Sequence, residues 1–304
     1  QQVRSGGEGK FAPATADLGS QMKTEFVGYE LDSVISEIMY VKKTDKQLEI
    51  ILGQTPFYAE SGGQEADWGD IITDSGMLKV AEVRKVGDAI VHVGKWVGSQ
   101  LPTPGMKSNL KIDSHRRLEI KNNHTATHLL HTALRKHLGK HAAQAGSLVA
   151  PDRLRFDFTH FEKLSPELVN TIEVTVNDAI RANYSIDTLE MSYKSAIDDG
   201  VIALFGEKYG DEVRVVKIGE DSQPYSRELC GGTHVNRTGQ IGMFRITYEG
   251  SVSAGVRRIE AVTGSYALKM MLSDRVDLSA IKDLISSHGS DTVEKLTKVL
   301  EEKK

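Results

Sequence analysis

Two pairs of residues in this sequence have the types and spacing to hold a metal ion. His124 and His128 stand four positions apart in His-Thr-Ala-Thr-His, and Cys230 and His234 stand four apart in Cys-Gly-Gly-Thr-His. On a helix turning 100° per residue, His124 and His128 lie about 40° apart and one turn above the other, so both imidazoles reach one ion. In the second pair, Gly231 and Gly232 favour a tight backbone turn from which thiolate and imidazole converge. Three imidazole nitrogens and one thiolate form a tetrahedral set suited to zinc. Cys230 is the only cysteine of the chain, which excludes an internal disulfide and leaves the thiol free for metal or chemistry. Each pair also has a plainer reading, the histidines as a polar helix face and the cysteine as a small buried hydrophobe. Spacing alone does not join the pairs across so long a stretch of chain. His131 shares the helical face of His124 and His128 and is a rival ligand or a neighbour of the ligands. A zinc-protease reading fails, because that chemistry wants a glutamate directly after the first histidine and Thr125 stands there.

These residues need elements to position them. Asp113 to about Leu138 reads as one long helix, with Ser114 as the candidate cap and Gly139 as the stop. Ala126, Leu129, Leu130 and Ala133 give this helix an apolar face turned away from the histidines. Before it, Ile35–Val41, Leu48–Gly53, Met77–Val86 and Ala89–Val97 are short strand-like runs separated by turn signals, which predicts a small β-barrel or sandwich. The Pro-rich stretch Leu101–Gly105 marks a boundary. After the helix come strands at Leu148–Phe158 (with a turn at Pro151-Asp152), Thr188–Tyr193, Val213–Ile218, Gly242–Glu249 and Val256–Thr263. Helices are expected at Ser165 to about Asn183 and at Ser195–Leu204. This mixture without strict alternation is α+β. Beyond Gly264, apolar residues from Leu268 to Ile285 and from Val293 to Leu300 recur at helical spacing, interrupted at Ser286–Gly289. The expected division is a lead-in over 1–24, a barrel over 25–108, an α+β unit over 109–264 and a helical region over 265–304.

The net charge of −4 excludes a global basic field, so a nucleic-acid partner must use a local patch. No apolar run approaches the ~18 residues of a membrane span, and there is no signal peptide, so no membrane partner is expected. A lone cysteine fits a reducing compartment, and a cytoplasmic location is the expectation. The chain starts without Met and ends inside a helical pattern, as a piece of a longer protein would.

Four stretches together resemble alanyl-tRNA synthetases of bacterial or organellar type. Asn123–Leu130 is similar to the first editing motif of that family and Ser226–Val235 to the second. Thr55–Gln64, containing Phe-Tyr-Ala-Glu-Ser-Gly-Gly-Gln, and Gly250–Glu260 agree as well, in the family's order. The resemblance implies a small β-barrel, an α+β zinc-binding editing core like the second additional domain of threonyl and alanyl synthetases, and the start of a C-terminal helical region. It implies that the intact enzyme has an aminoacylation domain, using ATP and alanine, before Gln1. The editing core would hydrolyse tRNA(Ala) wrongly loaded with serine or glycine, bind its acceptor end and hold one Zn2+ through His124, His128, Cys230 and His234. The helical region would serve a homo-oligomer. A free-standing trans-editing deacylase and a zinc-stabilised tRNA-binding module without hydrolysis are the alternatives.

The chemistry explains why such a site is needed. One hydroxyl or methyl gives an alanine pocket too little discrimination, and a second hydrolytic sieve supplies the rest. A sieve that hydrogen-bonds the serine hydroxyl spares alanine, which would leave buried polar groups unpaired. Thr125, Thr127 and Gln144 are the candidates for that contact. Thr127 lies about −60° from His124 on the helix, and the resemblance places Gln144 in the family's pocket. The plainer readings are a hydroxyl bonded to the preceding turn and a solvated amide. Gly62-Gly63-Gln64 resembles the Gly-Gly-Gln of peptide-release factors and is a candidate tRNA-end contact, against a plain glycine turn. Arg257, Arg258, Arg116, Arg117 and Lys121 are candidate phosphate contacts, against ordinary surface charge.

Overall fold

The structure is a computed structural model that describes residues 22–45, 47–203, 209–287 and 291–302. The expected lead-in therefore lies almost wholly outside the described residues, as do Leu204, His288 and Gly289.

Six antiparallel strands close a barrel in the order β2-β3-β7-β6-β5-β8: β2 Ser33–Lys43, β3 Leu48–Leu52, β5 Gly69–Thr73, β6 Gly76–Val86, β7 Ala89–Gly98 and β8 Lys107–Ile112. Two short strands, β1 Glu25–Phe26 and β4 Gln54–Thr55, pair in parallel beside it. The four expected strands are present. β5 and β8 were not anticipated, and they complete the closure. In β8, Ser108, Leu110 and Ile112 point inward between exposed residues, and Leu110 joins Ile38, Ile50, Phe57, Ile71 and Leu78 in the barrel core. The expected boundary at residue 108 thus falls inside a barrel strand. Without β8, the edges of β2 and β5 would be left unpaired.

Helix α1, Ser114–Leu138, follows at once. Its cap is Asp113 rather than Ser114, because the Asp113 carboxylate accepts the Arg116 amide at 3.0 Å. Gly139 ends it at φ 108, a conformation that favours glycine. α1 and α2 (Pro166–Arg181) pack through Leu129, Leu130, Ile172 and Val176 on one face of a four-stranded sheet, meeting Phe156 and Phe158. The strand order is β14-β15-β10-β9: β9 Gln144–Val149, β10 Leu154–Thr159, β14 Phe244–Ser253 and β15 Val256–Thr263. A second sheet, β11-β12-β13 (Ile186–Ser192, Glu212–Ile218, Ser226–Leu229), adds Val216 and Ile218 to the same core. Its Val213, Val215 and Leu229 pack instead with Ala196 of the short helix α3, Tyr193–Asp198. α4 (Gly264–Leu284) and α5 (Thr292–Glu301) close the described chain. Ala267 is the only buried residue of α4, and α5 has none among the described residues.

The histidine face of α1 does not look outward. It is buried beneath the barrel and the Cys230–His234 loop, so α1 is enclosed on nearly every side. Arg117 locks this arrangement. Its guanidinium is 1% exposed, pairs with Asp67, and donates to the Gly28 and Pro56 carbonyls at 2.6 and 2.8 Å. Arg116 bonds Glu65 at 2.8 Å and lies over the Trp68 ring at 4.3 Å. Both arginines pin helix to barrel and are buried there, Arg117 on a carboxylate and two carbonyls and Arg116 on Glu65 and the Trp68 ring, which corrects their reading as phosphate contacts. A second tie joins barrel to sheet. The Val149 amide donates to the Gly63 carbonyl at 2.7 Å, and the Glu65 amide to the Val149 carbonyl at 3.0 Å.

Candidate metal centre

Strand β13 was not anticipated, yet it delivers Cys230 to the site. Past its end the loop is clamped from two sides. Arg214 of β12 donates to the Cys230 and Gly232 carbonyls, each at 2.9 Å, and stacks over the Tyr29 ring at 4.1 Å. The Tyr29 hydroxyl donates to the Gly231 carbonyl at 2.6 Å. Gly231 and Gly232 were expected to favour a tight turn, and neither has a positive φ. Gly232 is needed for another reason: a Cβ there would sit 2.0 Å from the His124 ring. A Cβ at Gly231 would meet nothing within 4 Å.

The loop brings Cys230 and His234 against His124 and His128. One ligand atom from each of the four lies within 4.8 Å of all the others. Cys230 Sγ is 3.3 Å from His124 Nε2 and 3.3 Å from His234 Nε2. Tetrahedral zinc with ordinary Zn–N and Zn–S bonds has ligand–ligand edges of about 3.5 Å. The inward Nε2 of His128 is buried without any hydrogen-bond partner, as a nitrogen reserved for a cation would be. Each imidazole is held from behind at Nδ1: His124 by Gln64 Oε1 at 2.7 Å, His128 by Glu228 Oε2 at 2.9 Å and His234 by Thr125 Oγ1 at 3.4 Å. Such outer partners orient metal-binding histidines and set their tautomers. On this geometry the four residues fit one zinc ion.

The electrostatics also favour a cation. Burial raises the Cys230 thiol, but His124, His234 and His128 outweigh it and hold the thiol well below its ordinary value. Burial likewise works against the Glu228 carboxylate, yet His128 and His131 keep it ionised, below the usual carboxylate range. Burial pulls His234 down to about 3 despite the opposing thiolate, leaving its nitrogen free of a proton. At His128 burial is outweighed by Glu228 and Cys230, which push it up to about 10. Two buried negative groups thus lie beside the imidazoles, and a divalent ion would balance them.

His131, the rival ligand, stands outside the cluster. Its Nδ1 lies 3.2 Å from both Glu228 oxygens, so it shares that carboxylate with His128 and offers no atom to the four-ligand group. Glu228 itself was missed. The signal existed, since Ser226 and Glu228 alternate onto one strand face, and the Ser226 hydroxyl donates to Glu228 at 2.9 Å.

A cavity of about 490 Å³ opens onto the cluster between barrel and core. Gly62, Lys85, Thr127, Gln144, Ser147 and Arg214 line it together with His124, His128 and Cys230. Thr127 donates to the Asn123 carbonyl at 2.8 Å, so its hydroxyl retains acceptor capacity toward the cavity. The Gln144 side chain lines the wall and makes no hydrogen bond among the described residues. Thr125 is fully buried behind His234 and does not reach the cavity. Gln64 is also fully buried, and Gly63 is pressed against Ser147. Arg257 is buried and paired with Glu249, while Arg258 grips Asp157 at 2.6 and 2.8 Å on the sheet face opposite Phe156 and Phe158. Neither arginine lines the cavity. Lys121 lines a separate cavity with Arg214 and His234.

Comparison with known proteins adds the lineage. Residues 213–260 match the threonyl and alanyl tRNA synthetase second additional domain, and residues 10–116 match tRNA synthetases class II (A). The chain is 45% identical over 295 residues to an alanine–tRNA ligase of Acetivibrio thermocellus, covering 94% of this chain and 33% of that protein. It is 45% identical over 311 residues to an alanine–tRNA ligase of Fervidobacterium nodosum (98% and 35%). A third relative, from Francisella tularensis subsp. mediasiatica, is 44% identical over 312 residues (99% and 36%). The chain belongs to the alanyl-tRNA synthetase family. It spans about a third of the length of these curated relatives. Within this alanyl-tRNA synthetase family segment, the second-additional-domain match holds Cys230 and His234, while His124 and His128 lie upstream of it. No helix among the described residues is long and apolar enough to cross a membrane.

Proposed function

We propose that this segment hydrolyses the ester of tRNA(Ala) wrongly charged with serine or glycine, at a Zn2+ site formed by His124, His128, Cys230 and His234. The observation that carries the reading is the convergence of these four ligand atoms beside a cavity that His124, His128 and Cys230 line together with Thr127 and Gln144. A bound Zn2+ would supply Lewis acidity toward an ester carbonyl and a positive charge for the acceptor end.

The chain's own residues do the discriminating. Gln144, with an uncommitted amide, and Thr127, with an acceptor lone pair, meet a seryl hydroxyl. Alanine offers no hydroxyl and leaves both unpaired. Glycine is small enough to enter, and no group in the cavity selects it. Arg214 and Lys85 give the mouth positive charge for the terminal nucleotide of tRNA. In this reading the whole enzyme attaches alanine to tRNA(Ala) with ATP, on an aminoacylation domain outside this segment. The exposed apolar residues of α4 and α5 support pairing with a second copy, which light scattering on the chain tests. Four protein ligands ordinarily mark a closed site, and this favours a second reading in which zinc shapes a tRNA-binding module.

The experiment compares Ser-tRNA(Ala), Gly-tRNA(Ala) and Ala-tRNA(Ala) with the zinc-loaded chain, the chelated chain and Cys230→Ala. Faster loss of the seryl and glycyl esters, abolished by chelation and by Cys230→Ala, is expected. Tight tRNA binding with no ester loss would establish the second reading. Full zinc content in Cys230→Ala would break the ligand set.

A further inference from the structure

Gln64 comes from the barrel, yet it makes its contacts inside the metal cluster. We propose that Gln64 is a positioning residue of the metal centre, fixing His124 and the Cys230–His234 loop in a single grip, so that the barrel supplies one of the three outer partners of the imidazoles. This rests on the reading of the cluster as a zinc site.

The grip follows from donor and acceptor bookkeeping. The Thr233 backbone N–H can only donate, and it meets Gln64 Oε1 at 2.9 Å. That contact fixes which end of the amide is oxygen. The same Oε1 lies 2.7 Å from His124 Nδ1, so Nδ1 must carry the proton. His124 Nε2 is then left with its lone pair facing Cys230 Sγ, 3.3 Å away. The amide's other end, Nε2, donates to Thr233 Oγ1 at 3.0 Å. One side chain thereby sets the tautomer of one ligand and anchors the residue preceding another. Gly232 lies in the same contact, since a Cβ there would come 2.8 Å from Gln64 Oε1.

The local chain is built to deliver this side chain. Gly62 and Gly63 take φ of 58° and 82°, the left-handed region that favours glycine. The turn closes with the Gln64 amide donating to the Ser61 carbonyl at 3.0 Å. It then docks on β9 through Gly63 and Glu65, each bonded to Val149. The Gln64 side chain is fully buried against His124 and Thr233, while Gly62 lines the cavity.

Zinc affinity, read by competition with a chromophoric chelator, tests this on the full chain alongside seryl-ester turnover. Gln64→Leu removes both ends of the grip and is expected to lower zinc affinity about 10–100-fold, the usual cost of losing an outer partner. Gln64→Glu keeps an oxygen facing His124 Nδ1 and is expected to recover most of that loss. The Co2+-substituted protein should show an altered ligand-field spectrum in Gln64→Leu and a near-native one in Gln64→Glu. If Gln64→Leu does not fold, a Gln64→Glu chain with native zinc affinity and spectrum still supports the role, and one that loses zinc as fully as Cys230→Ala overturns it. Unchanged zinc affinity in Gln64→Leu with a raised KM for seryl-tRNA also overturns it and makes Gln64 an RNA contact. A wild-type chain that binds no zinc sinks the site reading itself. A wild-type chain that binds zinc without hydrolysing esters sinks only the proposed activity, and the affinity comparison stands.

Discussion

α1 and α4 are both long helices, of 25 and 21 residues, but α1 is buried on polar and apolar sides alike while α4 is almost wholly exposed. α1 encloses Arg116, Arg117, Glu119, Asn123 and its inward histidines, each beside a partner or a ligand set, together with Asn122, whose Oδ1 is buried without a partner. α4 buries only Ala267 and leaves Leu268, Met271, Leu272 and Val276 exposed. Composition does not separate the two, because both contain enough apolar residues to pack. What separates them is that α1 draws partners for many of its polar groups from the barrel, the sheets and the ligand loop, and keeps others, His128 Nε2 among them, buried without one. Most buried polar groups in folded proteins have such a partner. On α1 the polar face is therefore where the function-bearing contacts are. On α4 the apolar residues from Leu268 to Val276 stay largely exposed among the described residues.

The contrast can be broken at several strengths. Arg117→Met leaves Asp67 charged and buried, together with two unpaired carbonyls. A loss of about 3–5 kcal/mol in urea denaturation is expected, and a loss near zero would show that α1's polar burial is incidental. His92 extends the test into the barrel. It is fully buried between Thr55 Oγ1 and the Ile50 carbonyl, and burial lowers it to about 4. An unfolded histidine titrates near 6.5, so between those values the unfolded chain takes up a proton that the folded one refuses. Stability is complete above the unfolded value and is lost as pH falls from about 6.5 to 4, by up to about 3 kcal/mol. His92→Gln should remove that share of the pH slope in denaturation curves, and an unchanged slope would contradict it. Gly232→Ala drives a methyl into the His124 ring and should cost about 1–3 kcal/mol. Gly231→Ala, into open space, should cost far less, and equal costs would refute the packing account. Smallest of all, Val276→Ser on α4 should change stability by no more than about 0.5 kcal/mol. A larger loss would show that the face is already covered.

The sequence made visible what rests on local pattern. α1, its Gly139 stop, barrel strands β2, β3, β6 and β7 and the His-Cys pairs all carry periodicity or spacing strong enough to read. β8 escaped because Leu110 and Ile112 are its only apolar residues, and they acquire meaning only once β2 and β5 need partners. β13 escaped because Ser226-Arg227-Glu228-Leu229 spends its inward positions on polar residues. Glu228 and Gln64 are further cases. Their roles depend on neighbours brought together by the fold, and no spacing rule links residue 64 to residue 124. Arg117 reads as a surface cation in sequence, since nothing local announces Asp67.

The bond from Gln64 to Thr233 spans 169 positions, and that from Tyr29 to Gly231 spans 202. During synthesis the barrel and α1 emerge well before the loop that completes the cluster. At about 5–20 residues per second, the roughly 100 residues between α1 and His234 take on the order of 5–20 s. For that interval His124 and His128 stand on a finished helix without their thiolate, and Gln64 lacks the Thr233 amide that orients it. The donor set is therefore a late product of folding, and its arrival marks the moment when both halves of the segment have found each other.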